Sequence, residues 1–170
     1  MTRDSSLDRT GAWPNSAARV HARLTELGAT VAVAESLTGG LLCAALTAPP
    51  GASTTVRGGL VVYASDLKTE LAGVSESLLD ERGAVDAEVA LALARGARTR
   101  LGATYGVGVT GVAGPDPQDG KPVGTVFAAV AGPHGESVRE HQLAGSRAEI
   151  RAAAVQVCLD LLSVEYDRPG

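Results

Sequence analysis

Aromatic side chains are scarce in this chain, and it has no excess of positive charge. Its 170 residues include one Trp, one Phe and three Tyr, and the formal net charge is −4 at pH 7. Proteins that bind nucleic acids use basic grooves together with aromatic side chains on which the bases stack. The scarcity of both indicates that nucleic acid is not a partner of this protein.

The chain also lacks the marks of secreted and membrane proteins. Cys43 and Cys158 are its two cysteines, and both lie in apolar helical patterns that are typical of reduced core thiols. No apolar stretch approaches the roughly 20 residues of a membrane span, and the N-terminus has no apolar signal core. These absences predict a cytoplasmic protein with no membrane partner.

Motifs for metals and nucleotide cofactors are missing as well. Glu35, Asp66, Asp116 and Asp119 show no metal-ligand spacing with histidine or cysteine, so we expect no metal. The glycine pattern is not GxGxxG, and no Walker lysine follows a glycine turn. The sequence therefore argues against a dinucleotide-dependent oxidoreductase and an ATPase, and it predicts no cofactor.

Small residues dominate what is present. The chain is rich in Ala, Val, Leu and Gly, and its length is typical of one domain with a substantial core. We predict one α/β domain over residues 13–166, with a flexible N-terminal tail over residues 1–12 and a C-terminal tail over residues 167–170.

Strand and helix patterns alternate along most of this domain. The predicted elements are buried strands at 30–34, 59–64 and 105–109, a hairpin at 123–131 and 137–143, and helices at 14–27, 41–48, 86–101 and 146–164. Ser65 is predicted to cap a further short helix, and Ser146 with Glu149 fits a capping box. This order predicts a mixed, mostly parallel sheet covered by helices.

The segment TVAVAESLTGGLL, from Thr30 to Leu42, passes from a strand through a polar turn into a helix. Open α/β folds bind their ligands at the carboxyl edge of the sheet, and the unpaired amides of a helix N-terminus attract anions. Ser36 lies in this turn. It is a candidate nucleophile, and a helix-capping role accounts for the same residue equally well.

Two more predicted strands end in polar residues. Thr110 and Gly111 follow the third strand, and Lys68 lies shortly after the second. Lys68 is a candidate base for Ser36, because a position in the first turn of a helix and partial burial both favour a neutral amine. A solvated lysine on an exposed turn is the alternative.

Histidine is a weaker candidate for the base. His21 lies on a predicted helix, His134 lies in a hairpin turn, and His141 lies on a strand with one wet face. These positions are typical of surface histidines, so a Ser-His-Asp triad has little support.

Arg147 is a cation in the first turn of the last predicted helix, where the helix dipole opposes it. A bound phosphate would make this position favourable. The neighbouring Glu149 offers an alternative compensation for the same charge.

Seven pieces of sequence occur in a specific order over about residues 24–162. They are AESLTGG (34–40), the glycine and tyrosine of GGLVVYASDLK (58–68), LAGV (71–74), GAV (83–85), VTGVAGP (109–115), KPVGTV (121–126) and GSR (145–147). In this order they resemble the competence/damage-inducible protein C-terminal domain family, the nicotinamide-nucleotide amidohydrolases. The chain resembles the stand-alone form of that family, without the molybdopterin-binding-like domain of longer relatives.

The resemblance implies a three-layer α/β/α fold, commonly dimeric, and a chemical activity. That activity is hydrolysis of the carboxamide of nicotinamide mononucleotide to nicotinate mononucleotide and ammonia, in pyridine nucleotide recycling. It implies Ser36 as nucleophile and Lys68 as base, with Tyr63 and Thr110 beside them in the pocket. The implied partners are a small-molecule nucleotide substrate and a second copy of the chain.

The residues expected to bind the substrate belong to the strand-end turns or to the start of the last helix: Glu35, Thr38, Gly39, Gly40, Gly111, Gly114 and Arg147. The sequence departs from the family's pattern at three places. Leu37 occupies a position where members often carry cysteine, residues 64–67 replace a more polar run before the lysine, and the loop over residues 116–120 replaces a glycine-rich form. A non-catalytic module that binds or senses pyridine nucleotides is the alternative function.

Overall fold

The computed structural model of the protein describes residues 15–168. The elements are α1 (Asn15–Leu27), β1 (Val31–Glu35), α2 (Leu41–Thr47), a 3-10 turn (Ala52–Thr54), β2 (Val56–Val61), α3 (Ser65–Glu70), α4 (Glu76–Arg82), α5 (Ala87–Arg100), β3 (Tyr105–Gly111), β4 (Thr125–Gly132), β5 (Gly135–Gln142) and α6 (Arg147–Tyr166). The predicted tail over residues 1–12 lies outside the described residues. None of the helices in residues 15–168 combines the length and the apolar character that crossing a bilayer requires.

The five strands form one mixed sheet in the order β2-β1-β3-β4-β5. The strand β1 is parallel to both of its neighbours, β2 and β3, whereas β4 is antiparallel to β3 and β5. Four of the five strands therefore run in the same direction. This arrangement confirms the predicted mixed, mostly parallel sheet.

Helices cover both faces of the sheet and make three layers. The helices α1, α2 and α6 pack on one face in a core that includes Val31 and Val33 of β1. On the opposite face of the sheet, the side chains of Ala32 and Ala34 pack against α5 and the segments next to it. Because successive side chains of a strand point to opposite faces, the five-residue strand β1 is buried along its whole length.

The helix α5 approaches the sheet closely because β3 carries glycine where the helix crosses it. A Cβ atom at Gly106 would overlap the Ala94 carbonyl, and one at Gly108 would overlap the Ala90 carbonyl. The small residues that dominate the composition therefore allow helix and sheet to pack at short distance.

The capping box and the hairpin agree with the predictions from the sequence, whereas β2 and the start of α3 differ from them. Ser146 and Glu149 make both hydrogen bonds of the box, and β4 and β5 pair up to Gly132 and Gly135. The strand predicted as buried at 59–64 is instead an edge strand at Val56–Val61, half-buried and exposed in alternation. Ser65 is the first residue of α3 and not its cap.

The error at β2 has a physical cause. The apolar run after Gly59 continues beyond the sheet, where Val62 is fully buried although it is outside the strand. Hydrophobicity indicates burial, but it does not indicate whether the covering group is a neighbouring strand or a following helix.

We expect Gly108→Ala to destabilise the fold by ~3 kcal/mol, because the added methyl group forces α5 away from β3. Gly28→Ala is the control: Gly28 has φ 60° and open space around it, so it carries a backbone penalty of ~1 kcal/mol. Urea unfolding midpoints of the two variants test this difference. Equal midpoints would contradict the close approach of helix and strand.

Candidate functional site

The carboxyl ends of the three parallel strands meet at one edge of the sheet. Glu35, the last residue of β1, pairs with Val61 of β2 and Val109 of β3. The pairing extends one step further, since Ser36 N donates to Val109 O at 3.0 Å and Val62 N donates to Glu35 O at 2.8 Å. The backbone of Ser36 is therefore fixed between the ends of its two neighbouring strands.

A cleft that is open to solvent lies at this edge. Seven of the residues proposed from the sequence line it: Ser36, Tyr63, Lys68, Thr110, Gly111, Gly114 and Arg147. The structure thus brings together residues from four separate segments of the chain.

The amine of Lys68 is buried beside the strand ends, and the side chain is 1% exposed. Its Nζ donates to Val62 O at 2.8 Å and to Tyr63 O at 3.4 Å. Burial lowers the pKa of Lys68 from its ordinary value of 10.5, and the charge of Asp119 opposes part of this effect. The solvated-lysine alternative is therefore wrong for this residue.

The helix dipole does not explain the properties of Lys68. The residue is the fourth of six in α3, and it lies in the last turn. Desolvation is the larger cause of the lowered pKa. A neutral amine has two N–H groups and one lone pair, so the two carbonyl contacts leave the lone pair free to accept a proton.

Ser36 lies at the end of β1 and is 9% exposed. The N-cap of α2 is Gly40, so the helix-capping alternative for Ser36 is wrong. Among residues 15–168, the Ser36 hydroxyl forms no side-chain hydrogen bond that would occupy it. Ser36 and Lys68 line the same cleft. The Lys68 amine donates to the carbonyl of Val62, and Val62 and Ser36 each directly follow one residue of the Val61–Glu35 strand pair.

Glu35 is part of the scaffold and is not among the residues that line the cleft, so its role as a substrate contact stays a prediction. Its fully buried carboxylate accepts from Leu42 N at 2.6 Å and from Cys43 N at 3.3 Å. These are unpaired amides of the first turn of α2, so Glu35 satisfies a helix N-terminus. Burial raises the pKa of Glu35, while Thr38 and the backbone amides act in the opposite direction.

Thr38, Gly39 and Gly40 likewise lie outside the cleft lining, against expectation. The two glycines have φ values of 57° and 104° and make the turn into α2. Arg151 of α6 donates to Leu37 O at 2.9 Å and to Thr38 O at 3.2 Å. The motif therefore shapes the turn that presents Ser36 to the cleft.

Thr110 is buried at the end of β3, and its hydroxyl donates to Ala84 O at 2.7 Å. Its single proton is used by this bond, so the hydroxyl offers only lone pairs to the cleft. A ligand group that meets Thr110 there has to be a hydrogen-bond donor.

Arg147 crosses the mouth of the cleft at the start of α6. Its guanidinium donates to Tyr63 Oη at 2.9 Å and to the carbonyl of Gly114. The side chain of Tyr63 is 58% exposed, so this cation lies where an anion can reach it from solvent. Glu149 accepts from Ser146 N at 2.7 Å in the capping box.

Sequence reasoning missed other residues of the cleft. Ser65, Asp116 and Gln118 line it, as do Ala84 and Val85 from the link between α4 and α5. The sequence shows the family piece GAV at residues 83–85 and the altered loop at residues 116–120. Nothing in their spacing indicated that these segments fold over the strand ends, because ordinary polar loops have the same composition.

We expect Glu35→Ala to destabilise the protein by ~3 kcal/mol, because the amides of Leu42 and Cys43 lose their carboxylate acceptor inside the protein. Glu76→Ala, on the exposed first turn of α4, is the matched control and should change stability by less than ~0.5 kcal/mol. Urea unfolding gives both values. Unchanged stability of Glu35→Ala combined with weakened nucleotide binding would return Glu35 to the substrate contacts.

Comparison with known proteins gives a consistent result. The family profile described as the CinA C-terminal domain matches residues 14–165. A CinA-like protein of Frankia casuarinae is 53% identical over 139 residues, which are 82% of this chain and 32% of that protein. One of Acidobacterium capsulatum is 49% identical over 136 residues, 79% of this chain and 33% of that protein. The chain thus spans about a third of the length of these curated relatives.

Solved structures show the same fold. The competence/damage inducible protein CihA from Agrobacterium tumefaciens has a TM-score of 0.87 and 38% identity, with 90% of this chain and 94% of that chain covered. A CinA superfamily protein from Escherichia coli has a TM-score of 0.86 and 28% identity, with 96% and 92% covered. Fold, sequence and the order of the strand-end motifs agree, and the chain belongs to the CinA C-terminal domain family.

Proposed function

We propose that the protein is a metal-independent amidohydrolase that converts nicotinamide mononucleotide to nicotinate mononucleotide and ammonia. The observation that carries the proposal is the buried Lys68 amine, with lowered pKa, in one cleft with the Ser36 hydroxyl. Burial of an amine without a carboxylate partner is unfavourable for the fold, and such groups are concentrated at functional sites.

The first step is attack of Ser36 on the carboxamide carbon. The hydroxyl proton passes to the lone pair of Lys68 as Oγ forms the new bond, and the carbonyl oxygen becomes an oxyanion. The carbonyls of Val62 and Tyr63 then accept hydrogen bonds from the ammonium that forms. Both carbonyls are neutral acceptors, so they stabilise the ammonium by hydrogen bonding alone.

The oxyanion requires backbone donors. Leu37, Ala113 and Gly114 line the cleft, and their amides donate no backbone hydrogen bond among residues 15–168. By contrast, Gly39 N donates to Ser36 O. The amide of Leu37, directly after the nucleophile, and those of residues 113–114 are therefore our candidates, with each donor worth roughly 3 kcal/mol in enzymes of this kind.

The second half of the reaction returns the proton. Lys68 protonates the departing nitrogen, the C–N bond breaks, ammonia leaves, and an ester to Ser36 remains. Water attacks this ester while Lys68 takes a proton from the water. Lys68 returns that proton to Ser36 Oγ as the ester C–O bond breaks, and the carboxylic acid product releases its own proton to solvent and leaves as the carboxylate. The two-step use of one base fits an amine whose pKa is lowered by burial.

Recognition of the substrate follows from the donors and acceptors of the cleft. The Thr110 hydroxyl offers lone pairs, so it accepts from the carboxamide –NH₂ and has no proton for a carboxylate product. Arg147 at the mouth suits the 5′-phosphate of the substrate. The phosphate would replace the neutral acceptors Tyr63 Oη and Gly114 O as the hydrogen-bond partner of the guanidinium. A homodimer and a cytoplasmic location remain predictions.

We expect Ser36→Ala to reduce ammonia release from nicotinamide mononucleotide by about 10³-fold or more, since it removes the nucleophile. Lys68→Ala should reduce it by about 10²-fold or more, since it removes the base. Ser77→Ala, exposed on α4 and outside the cleft, is the matched control and should retain full activity. A coupled ammonia assay measures all four proteins.

Binding measurements separate the enzyme from the sensor alternative. Nicotinamide mononucleotide that binds the wild type but releases no ammonia would support a non-catalytic module. Release that persists unchanged in Ser36→Ala and in Lys68→Ala would remove both residues from the mechanism.

We also expect a pH dependence set by Lys68. Below its pKa the amine is protonated and cannot accept the Ser36 proton, so kcat should fall as the medium is acidified through that pKa. Because burial lowers this pKa from 10.5, activity should reach its plateau at a lower pH than an ordinary lysine would allow. A kcat profile that is flat on the acidic side would count against lysine as the base.

A further inference from the structure

The loop after β3 folds back over the cleft as a tight turn. Gln118 and Lys121 pair with each other, with N···O distances of 3.1 Å and 2.8 Å. Asp119 lies at the tip and has φ 51°, a left-handed conformation that is uncommon outside glycine. The turn therefore has a defined shape that directs the Asp119 side chain.

That side chain contacts the link between α4 and α5. Asp119 Oδ2 accepts from Ala84 N at 2.8 Å. A Cβ atom at Gly83 would lie 2.8 Å from the Asp119 carboxyl carbon, so the absence of a side chain at Gly83 makes room for the carboxylate. The loop and the link are fitted to each other at this point.

The same link forms the wall of the cleft next to the proposed base. Ala84 and Val85 line the cleft together with Ser36 and Lys68. Ala84 O accepts from Thr110, and Val85 O accepts from Lys121 Nζ at 3.2 Å. Three side chains from β3 and its loop thus fix the backbone of residues 84–85.

Several charged or titratable groups share the cleft or the helix of Lys68. Tyr63, Asp116 and Arg147 line the cleft, and Asp66 and Glu70 lie on the same helix as Lys68. Among the described residues, Asp119 is the group whose charge raises the pKa of Lys68 against the effect of burial. A carboxylate that positions the cleft wall is therefore also the electrostatic neighbour of the base.

We propose that Asp119 is a positioning residue for Lys68, which holds the 84–85 wall through Ala84 N and supplies the negative charge that stabilises the ammonium formed during the reaction. This inference rests on the proposed function for the role of Lys68 as base. No covalent step involves Asp119. When Ser36 gives up its proton, a positive charge appears on Lys68, and a fixed carboxylate nearby favours that state.

Two substitutions separate the charge from the contact. Asp119→Asn retains an oxygen that accepts from Ala84 N, and asparagine tolerates the left-handed backbone. Asp119→Ala removes both the charge and the acceptor. Asp66→Asn, which removes one carboxylate from the helix of Lys68 itself, is the matched control.

The measurement is the titration of Lys68 by NMR in the full chain with ¹⁵N-labelled lysine. The sequence has two lysines, Lys68 and Lys121, and Lys121→Arg assigns the two signals. We expect Asp119→Asn to lower the pKa of Lys68 and Asp66→Asn to leave it in place. In ammonia release, Asp119→Asn should move the acidic limb of kcat to lower pH and reduce the plateau, with KM little changed.

Asp119→Ala should move the acidic limb in the same direction, and it should also raise KM and lower the unfolding midpoint, because the cleft wall loses its contact. A Lys68 pKa that is the same in the wild type and in Asp119→Asn overturns the inference. An equal fall in Asp66→Asn overturns it too, since the effect would then belong to net charge. A lowered pKa in a protein that releases no ammonia supports the link between the two residues and contradicts the proposed function.

Discussion

The hydrogen bond from the Lys68 amine to the Val62 carbonyl is the contact on which the site depends. Val62 stands directly after the β2 residue that pairs with the end of β1, and its amide donates to Glu35 O. The lysine is therefore tied to the same row of backbone bonds that fixes Ser36. Because the amine is buried and bonded to neutral carbonyls, desolvation lowers its pKa, and this effect is larger than the opposing effect of the Asp119 charge.

The residues around this contact divide into those that build the cleft and those that face it. Glu35 satisfies the first amides of α2, and Arg151 bonds the carbonyls of Leu37 and Thr38, so that the turn carrying Ser36 is fixed from the core side. A buried acid is here a structural group, whereas a buried amine faces the cleft. Their hydrogen-bond partners explain these different roles. Glu35 binds the amides of a helix N-terminus, whereas Lys68 binds carbonyls at the end of a strand.

The opposite wall depends on backbone contacts between segments far apart in the chain. Thr110 and Asp119 bond the carbonyl and the amide of Ala84, and Gly83 leaves space for the carboxylate. Arg147 joins Tyr63 to Gly114 across the mouth. Polar side chains of strand, loop and helix thus join distant segments into one cleft, and each contact also sets which atoms remain available to a ligand. In the proposed reaction these are the lone pairs of Thr110, the charge of Arg147 and the lone pair of Lys68.

The sequence alone determined the alternating strands and helices, the mixed sheet, the capping box and the serine and lysine at two strand ends, because periodicity and capping are local properties. It also indicated the family, through motifs in a fixed order. Only the tertiary structure decided that β2 is an edge strand, that Glu35, Thr38, Gly39 and Gly40 build the turn, and that burial rather than the helix dipole acts on Lys68. The physical reason is that burial and hydrogen-bond partners depend on segments that are distant in the chain. A local sequence pattern does not indicate which of these segments come into contact.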